Sequence, residues 1–125
     1  VLNYKGETMV LGITEIVSHT EFFDYDAKYN GLSDEITPAR LTPEVEARVR
    51  EIAAKAYKWI KMSGFSRSEY IIVNGEPHFI EMNTLPGFSP ASIFPQPAAH
   101  AGIALEDLMD SEIEFALNRP SAWIE

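Results

Sequence analysis

A chain of 125 residues, 46% of them hydrophobic, can bury one compact core and not two. It has no cysteine and therefore no disulfide framework, and no run approaches the roughly 18 apolar residues of a membrane span, nor does a basic stretch lead an apolar one as in a signal peptide. A net charge of −9 without a basic stripe disfavours nucleic acid, whose phosphates such a surface would repel, and the three scattered histidines (His19, His78, His100) lack the spacing of zinc ligands.

In chain order, Lys5-Gly6-Glu7 resembles a hairpin turn between a strand at Val1–Tyr4 and a longer, β-branched strand at Met9–Val17. Ser18 to Glu35 is polar and reads as a long loop, a length that in compact domains is often functional. Glu35 to Arg40 is expected to return as a short strand, at an edge because of Pro38.

The clearest element is a helix from Pro43 to Met62. Thr42 suits the N-cap, Pro43 the first helical position, and Glu44 and Glu46 the positive end of the dipole. Val45, Val49, Ile52, Ala53, Ala56, Tyr57 and Ile60 recur at helical spacing as a core stripe, Lys55, Lys58 and Lys61 gather at the far end, and Gly64 stands where the helix should stop.

Phe65–Val73 and Pro77–Asn83 form two strands joined at Asn74-Gly75, a strong hairpin signal. Thr84 to Pro97 is a loop dense in Pro, Ser and Gly. A second helix from Leu105 to Leu117 places Leu105, Leu108, Met109, Ile113 and Ala116 on one face. The class is α+β, a mostly antiparallel sheet with helices packed on one side.

Chemistry concentrates on the hairpin. Arg67 and Glu69 share a face of the first arm, and Glu81 and Asn83 share a face of the second. A two-residue loop pairs Val73 with Glu76 and sets Glu69 opposite Ile80, splitting the four groups between faces. A three-residue loop sets Glu69 opposite Glu81 and Arg67 opposite Asn83. Taken alone, the four charges and amides could be an ordinary solvated sheet face. Opposed carboxylates repel unless a cation lies between them, however, and two acids with an amide oxygen are the hard donors magnesium prefers, together with waters and a substrate phosphate. In the following loop, Gly87 lets the backbone approach a ligand, and amides around it could bind an anion, though such a loop is commonly a plain surface connection.

The strings FFDYDAKY (22–29), EITPARL, GFSRSEY (64–70) and FIEMNTLPGFSPASIFP (79–95), in this order and spacing, resemble D-alanine–D-alanine ligases of the ATP-grasp superfamily, over nearly the whole chain from Val1 to Leu117. The resemblance implies the C-terminal half of an ATP-grasp domain, with the family's N-terminal domain and the first ATP-grasp half lying outside this single-domain chain. It implies a cytoplasmic, full-length homodimeric enzyme of peptidoglycan synthesis that joins two D-alanines through an acyl phosphate at the expense of ATP. Magnesium or manganese is the implied metal, two ions per site, held by Glu69, Glu81 and Asn83. Arg67 and the amide of Gly87 would stabilise the oxyanion, and Ser92 with the amide of Ile93 would bind the acceptor carboxylate. Lys28 and Tyr29 would belong to a loop closing over the site. Glu69 departs from the family, where Asp is frequent. Tyr29 argues for an amine acceptor, since depsipeptide-forming relatives tend to carry Phe there. Another ATP-grasp ligase, including one making D-alanyl-D-lactate, and a non-catalytic binding or dimerisation module are the competing readings. The chain by itself is expected to be inactive.

Overall fold

The computed structural model describes residues 1–18, 33–89 and 92–119. Its elements run β1 (Leu2–Tyr4), β2 (Glu7–Met9), β3 (Glu15–Ser18), β4 (Ser33–Ile36), α1 (Pro43–Trp59), β5 (Arg67–Val73), β6 (Glu76–Asn83), α2 (Pro95–His100) and α3 (Leu105–Asn118). The class is α+β, as expected. All ladders among the described residues are antiparallel, and the strands pair two by two (β1 with β2, β3 with β4, β5 with β6) rather than in one continuous sheet. Val1 links two of them: it exchanges both backbone hydrogen bonds with Ser66, each at 2.8 Å, just before β5 begins.

The first hairpin closes on Lys5 (φ 50°) and Gly6 (φ 88°), pairing Tyr4 with Glu7. Positive φ at both positions gives the turn whose twist matches that of paired strands. The apolar run from Met9 to Val17 is not one strand, contrary to expectation. Its middle finds other partners: Arg50 Nη1 donates to the Val10 carbonyl at 2.8 Å, and the Ala39 amide donates to the Ile13 carbonyl at 2.9 Å. Ladder pairing resumes only at β3, which lies against β4.

The return strand also sits earlier than expected, ending at Ile36 rather than reaching Arg40. Pro38 has no N–H to give a ladder, and Arg40 instead clamps Glu15 through Nε and Nη2, both at 2.8 Å. The interior of the expected Ser18–Glu35 loop, residues 19–32 with Lys28 and Tyr29, lies outside the described residues.

Helix α1 begins where the sequence places it, with Thr42 Oγ1 accepting from the Val45 amide at 3.4 Å. It ends at Trp59, short of Met62, and the stop is Lys61 rather than Gly64. Lys61 takes the left-handed conformation (φ 52°), its amide donating to Lys58 at 3.1 Å and that of Met62 to Tyr57 at 3.0 Å. Those two bonds are the Schellman pair that satisfies terminal carbonyls. Val49, Ala53 and Tyr57 bury the stripe, while Ile60, at the cap, is 52% exposed.

The core joins Leu2 and Leu11 to Phe94, Ala98 and Leu108, with Tyr4, Met9, Phe65, Phe88 and Ile103 packed around them. Phe94 caps α2 and Ala98 lies within it, a helix that begins inside the loop expected from Thr84 to Pro97. Its prolines looked like breakers, yet Pro95 occupies the first helical position, where a missing N–H costs nothing. Six residues are also too few to show a period. Helix α3 is rotated from expectation: Leu108 and Ser111 are buried, whereas Ile113 is 58% exposed and Ala116 is also outside. The Ser111 hydroxyl accepts the Lys5 amide at 3.1 Å, a polar contact that hydropathy does not register.

Candidate active site

The second hairpin combines two arrangements that the sequence had set as alternatives. Its loop has two residues, Asn74 (φ 52°) and Gly75 (φ 81°), pairing Val73 with Glu76. Regular pairing from there would set Glu69 against Ile80. The ladder instead shifts by one residue between Glu69 and Tyr70: Tyr70 faces Phe79, Glu69 faces Glu81, and Arg67 faces Asn83. Ile80 is the extra residue of a β-bulge, a feature that re-aims side chains near sites. Residues directly opposite share a face, so the two carboxylates, the guanidinium and the amide lie on one face of the hairpin.

Arg67 Nη2 donates to Glu69 Oε1 at 2.7 Å, with both side chains mostly buried. Arg67 Nε is buried and has no hydrogen-bond partner among the described residues. A buried donor without a partner is costly, and an oxyanion placed beside it would remove the cost. The Asn83 Oδ1 accepts the Leu85 amide at 2.9 Å, which turns the chain out of β6 and leaves the oxygen a second lone pair. No group of three or more His, Cys, Asp or Glu side chains among the described residues is arranged to hold a metal. The donors expected from the sequence, Glu69, Glu81 and Asn83, offer two carboxylates and one amide oxygen on the hairpin. Such a set suits magnesium, which keeps waters and phosphate oxygens in its remaining positions.

Three aromatic rings hold the loop after β6 in place. Phe65, immediately before the hairpin, packs edge-on against Phe88 (4.7 Å between centroids) and Phe94 (5.3 Å), and these two lie 5.0 Å apart. Between them the Ser92 amide donates to the Ser89 carbonyl at 2.8 Å, and the two hydroxyls are 2.9 Å apart. A Cβ at Gly87 would lie 2.7 Å from Ser92 Oγ. Gly87 thus lies close against Ser92 within the chain.

A cleft of about 510 Å³ runs along β5 between it and residues 10–16. Arg67, Glu69 and Ile93 line it; Glu81, Asn83, Gly87 and Ser92 do not. Glu15 also lines it, and the Arg40 guanidinium holds its carboxyl down at about 2.

Residues 1–114 match the family described as D-ala D-ala ligase C-terminus. The chain belongs to this family. The D-alanine--D-alanine ligase of Flavobacterium psychrophilum is 58% identical over 98% of this chain and 38% of its own length. That of Leptospira interrogans is 47% identical over 92% of this chain and 33% of its own. A crystal structure of the D-alanine--D-alanine ligase from Bacillus anthracis complexed with ATP matches with a TM-score of 0.69 at 33% identity, covering 85% of this chain and 33% of that one. The chain therefore spans little more than a third of the length of such relatives.

Within this ligase-family chain, the hairpin brings together Arg67, Glu69, Glu81 and Asn83, and the aromatic-anchored loop brings together Gly87 and Ser92. Sequence reasoning missed Phe65, Phe88 and Phe94 as anchors. Their signal was available: large aromatics inside a Pro/Gly/Ser-rich stretch need somewhere to bury. It also missed Gln96, whose side chain joins the Glu35 carboxylate and the Thr37 hydroxyl. No pattern in the sequence marks that residue.

Proposed function

We propose that the hairpin and the loop after it form the metal, oxyanion and acceptor part of an enzyme that joins two D-alanines to D-alanyl-D-alanine, using ATP and passing through an acyl phosphate. The pairing of Glu69 with Glu81 and of Arg67 with Asn83 across the bulge carries this reading. Family membership supports the substrate class, and because the chain spans about a third of the relatives' length, the activity is proposed for the full-length enzyme.

Glu69, Glu81 and Asn83 would hold magnesium, which when bound screens the phosphate charges of ATP. Arg67 is fixed by Glu69 with its Nε still free to donate. It neutralises charge on the transferring phosphoryl and on the carboxylate that receives it. The Gly87 amide would donate to the same oxyanion when the second amine attacks. Ser92 and the Ile93 amide would hold the acceptor carboxylate so that its amine faces the acyl carbon. We assign Lys28 and Tyr29 to covering the site, which protects an acyl phosphate from water. The full-length enzyme is read as a cytoplasmic homodimer using two metal ions.

A product assay on the full-length protein tests the proposal. D-alanine with ATP and magnesium should yield D-alanyl-D-alanine, ADP and phosphate, and D-lactate should be a poor acceptor. Exclusive depsipeptide formation would move the protein to the D-lactate ligases, and no ATP turnover with either acceptor would leave the binding-module reading.

A further inference from the structure

A set of polar side chains outside the hairpin is not used by the chemistry above. The Thr14 and Thr37 hydroxyls are 2.6 Å apart, and Thr37 Oγ1 donates to Gln96 Oε1 at 3.2 Å. Gln96 Nε2 donates to a carboxylate oxygen of Glu35, on β4. The Gln96 backbone amide donates to the Ile93 carbonyl at 3.0 Å. One residue therefore ties the turn that carries Ser92 and Ile93 to the β3–β4 ladder. With Glu35 as its partner, the amide suits this position, because it accepts from Thr37 and donates to Glu35 at the same time.

The rest of α2 does not depend on these bonds. Pro97 and Ala98 are buried, and Ala98 belongs to the core cluster with Phe94 and Leu108. Without its side-chain amide, residue 96 would keep its main-chain bond to Ile93 and lose only the tie from that turn to Thr37 and Glu35.

We infer that Gln96 is a positioning residue for the acceptor pocket: through Thr37 and Glu35 it holds the Ser92–Ile93 turn and so sets the affinity for the second amino acid, which it does not touch. The inference rests on Ser92 and the Ile93 amide being the seat of the acceptor carboxylate. Uniform binding interactions of this kind act on KM and leave kcat alone.

The experiment is steady-state kinetics of the full-length enzyme with D-alanine varied at saturating ATP and magnesium, resolving the KM of the first and second D-alanine. Gln96→Ala should raise the second KM about three- to tenfold, as expected for losing one or two modest hydrogen bonds. The first KM, the KM for ATP and kcat should stay within about twofold on the same reasoning. Gln96→Glu alone sets a carboxylate against Glu35 and should be at least as impaired. The exchange Gln96→Glu with Glu35→Gln rebuilds the pair with donor and acceptor reversed, and should bring the second KM back to near its original value. An unchanged second KM in Gln96→Ala, with Ser92→Ala raising it, overturns the inference and leaves the proposed function standing. An unchanged second KM in both variants overturns the acceptor reading of Ser92 and the inference with it. A general loss of kcat and melting temperature that the exchange fails to restore makes Gln96 a folding residue only, which also overturns the inference.

Discussion

The β1–β2 and β5–β6 hairpins close on the same kind of turn, Lys5 and Gly6 in one and Asn74 and Gly75 in the other, all four at positive φ. In the first, pairing runs unbroken from Tyr4–Glu7 to Leu2–Met9. In the second it shifts by one residue beyond Tyr70–Phe79, and the four hairpin groups proposed for chemistry, Arg67, Glu69, Glu81 and Asn83, lie past that shift. Turn chemistry sets the register only as far as the first bulge. In the short hairpin that is the whole ladder. In the long one, the bulge at Ile80 decides which side chains meet.

The largest expected effect separates the two hairpins by function. Glu81→Gln keeps shape and removes a carboxylate facing Glu69. Turnover of the full-length enzyme should fall about a hundredfold or more, the scale of losing one electrostatic stabiliser. Stability should hold or rise, because opposed like charges repel. Glu7, the acid beside the turn of the first hairpin, is exposed and faces Tyr4. Glu7→Gln should leave turnover within about twofold, since the charge lies on a solvated surface. Parallel rate measurements at saturating magnesium decide the matter; near-normal turnover in Glu81→Gln would remove it from the site.

Much of this was legible in the sequence. The turn at Asn74-Gly75, the start of α1 at Thr42-Pro43 and the α+β class follow from local rules whose partners lie a few residues away. The bulge was not legible, because nothing at Ile80 distinguishes it from a regular strand residue; its cause lies in pairing across the hairpin. The course of residues 10–14 failed for a similar reason. Their apolar, β-branched composition suits a strand, but Arg50 and Ala39 supply hydrogen bonds from distant parts of the chain. The family motifs marked Gly87 and Ser92, yet gave no hint that the two touch.

That contact gives the next effect in size. The loop leaving β6 has no counterpart after β2, and its close packing on Ser92 needs glycine at 87. In Gly87→Ala the new Cβ would press on Ser92 Oγ, so the hydroxyl must rotate and its 2.9 Å contact with Ser89 is lost. We expect the KM for the acceptor D-alanine to rise about fivefold to tenfold, within what one hydrogen bond contributes, with little loss of stability. Ser92→Ala should reproduce the KM effect. A Gly87→Ala enzyme that binds acceptor normally would mean the Ser92 rotamer is not what the pocket requires.

The two turns themselves offer a smaller comparison. Gly6→Val and Gly75→Val each force a β-branched residue into the left-handed region, at φ 88° and 81°. Each should lose about 1–2 kcal/mol in denaturant unfolding. Only Gly75→Val should also slow turnover, because strain at that turn reaches the two arms that carry Glu69 and Glu81. Equal turnover in the two variants would show that the bulge holds the register without help from the turn.

The smallest effect concerns a carboxylate at the base of the first hairpin. Glu112 of α3 comes near Tyr57, as does the Asn3 backbone amide, and Glu112 Oε1 is buried without a hydrogen-bond partner among the described residues. Burial raises its pKa above the ordinary carboxylate value, with Arg119 opposing the shift, and burial beside Glu112 pushes the Tyr57 hydroxyl up to about 12. A carboxyl whose folded pKa is raised contributes stability below its unfolded pKa and loses it as pH rises through the folded one. Glu15 has the opposite sign: held down by Arg40, it contributes above the ordinary carboxylate range and loses that contribution as pH falls toward about 2. Glu112→Gln removes the buried charge and should therefore gain stability at neutral pH, about 1 kcal/mol or less given its partial exposure. The gain should shrink as pH falls below the folded pKa of Glu112, where the native carboxyl is already neutral. Melting temperatures of both proteins between about pH 4 and pH 8, a range spanning ordinary and raised carboxyl values, should diverge toward the neutral end. Parallel curves would mean that Glu112 is solvated at no cost.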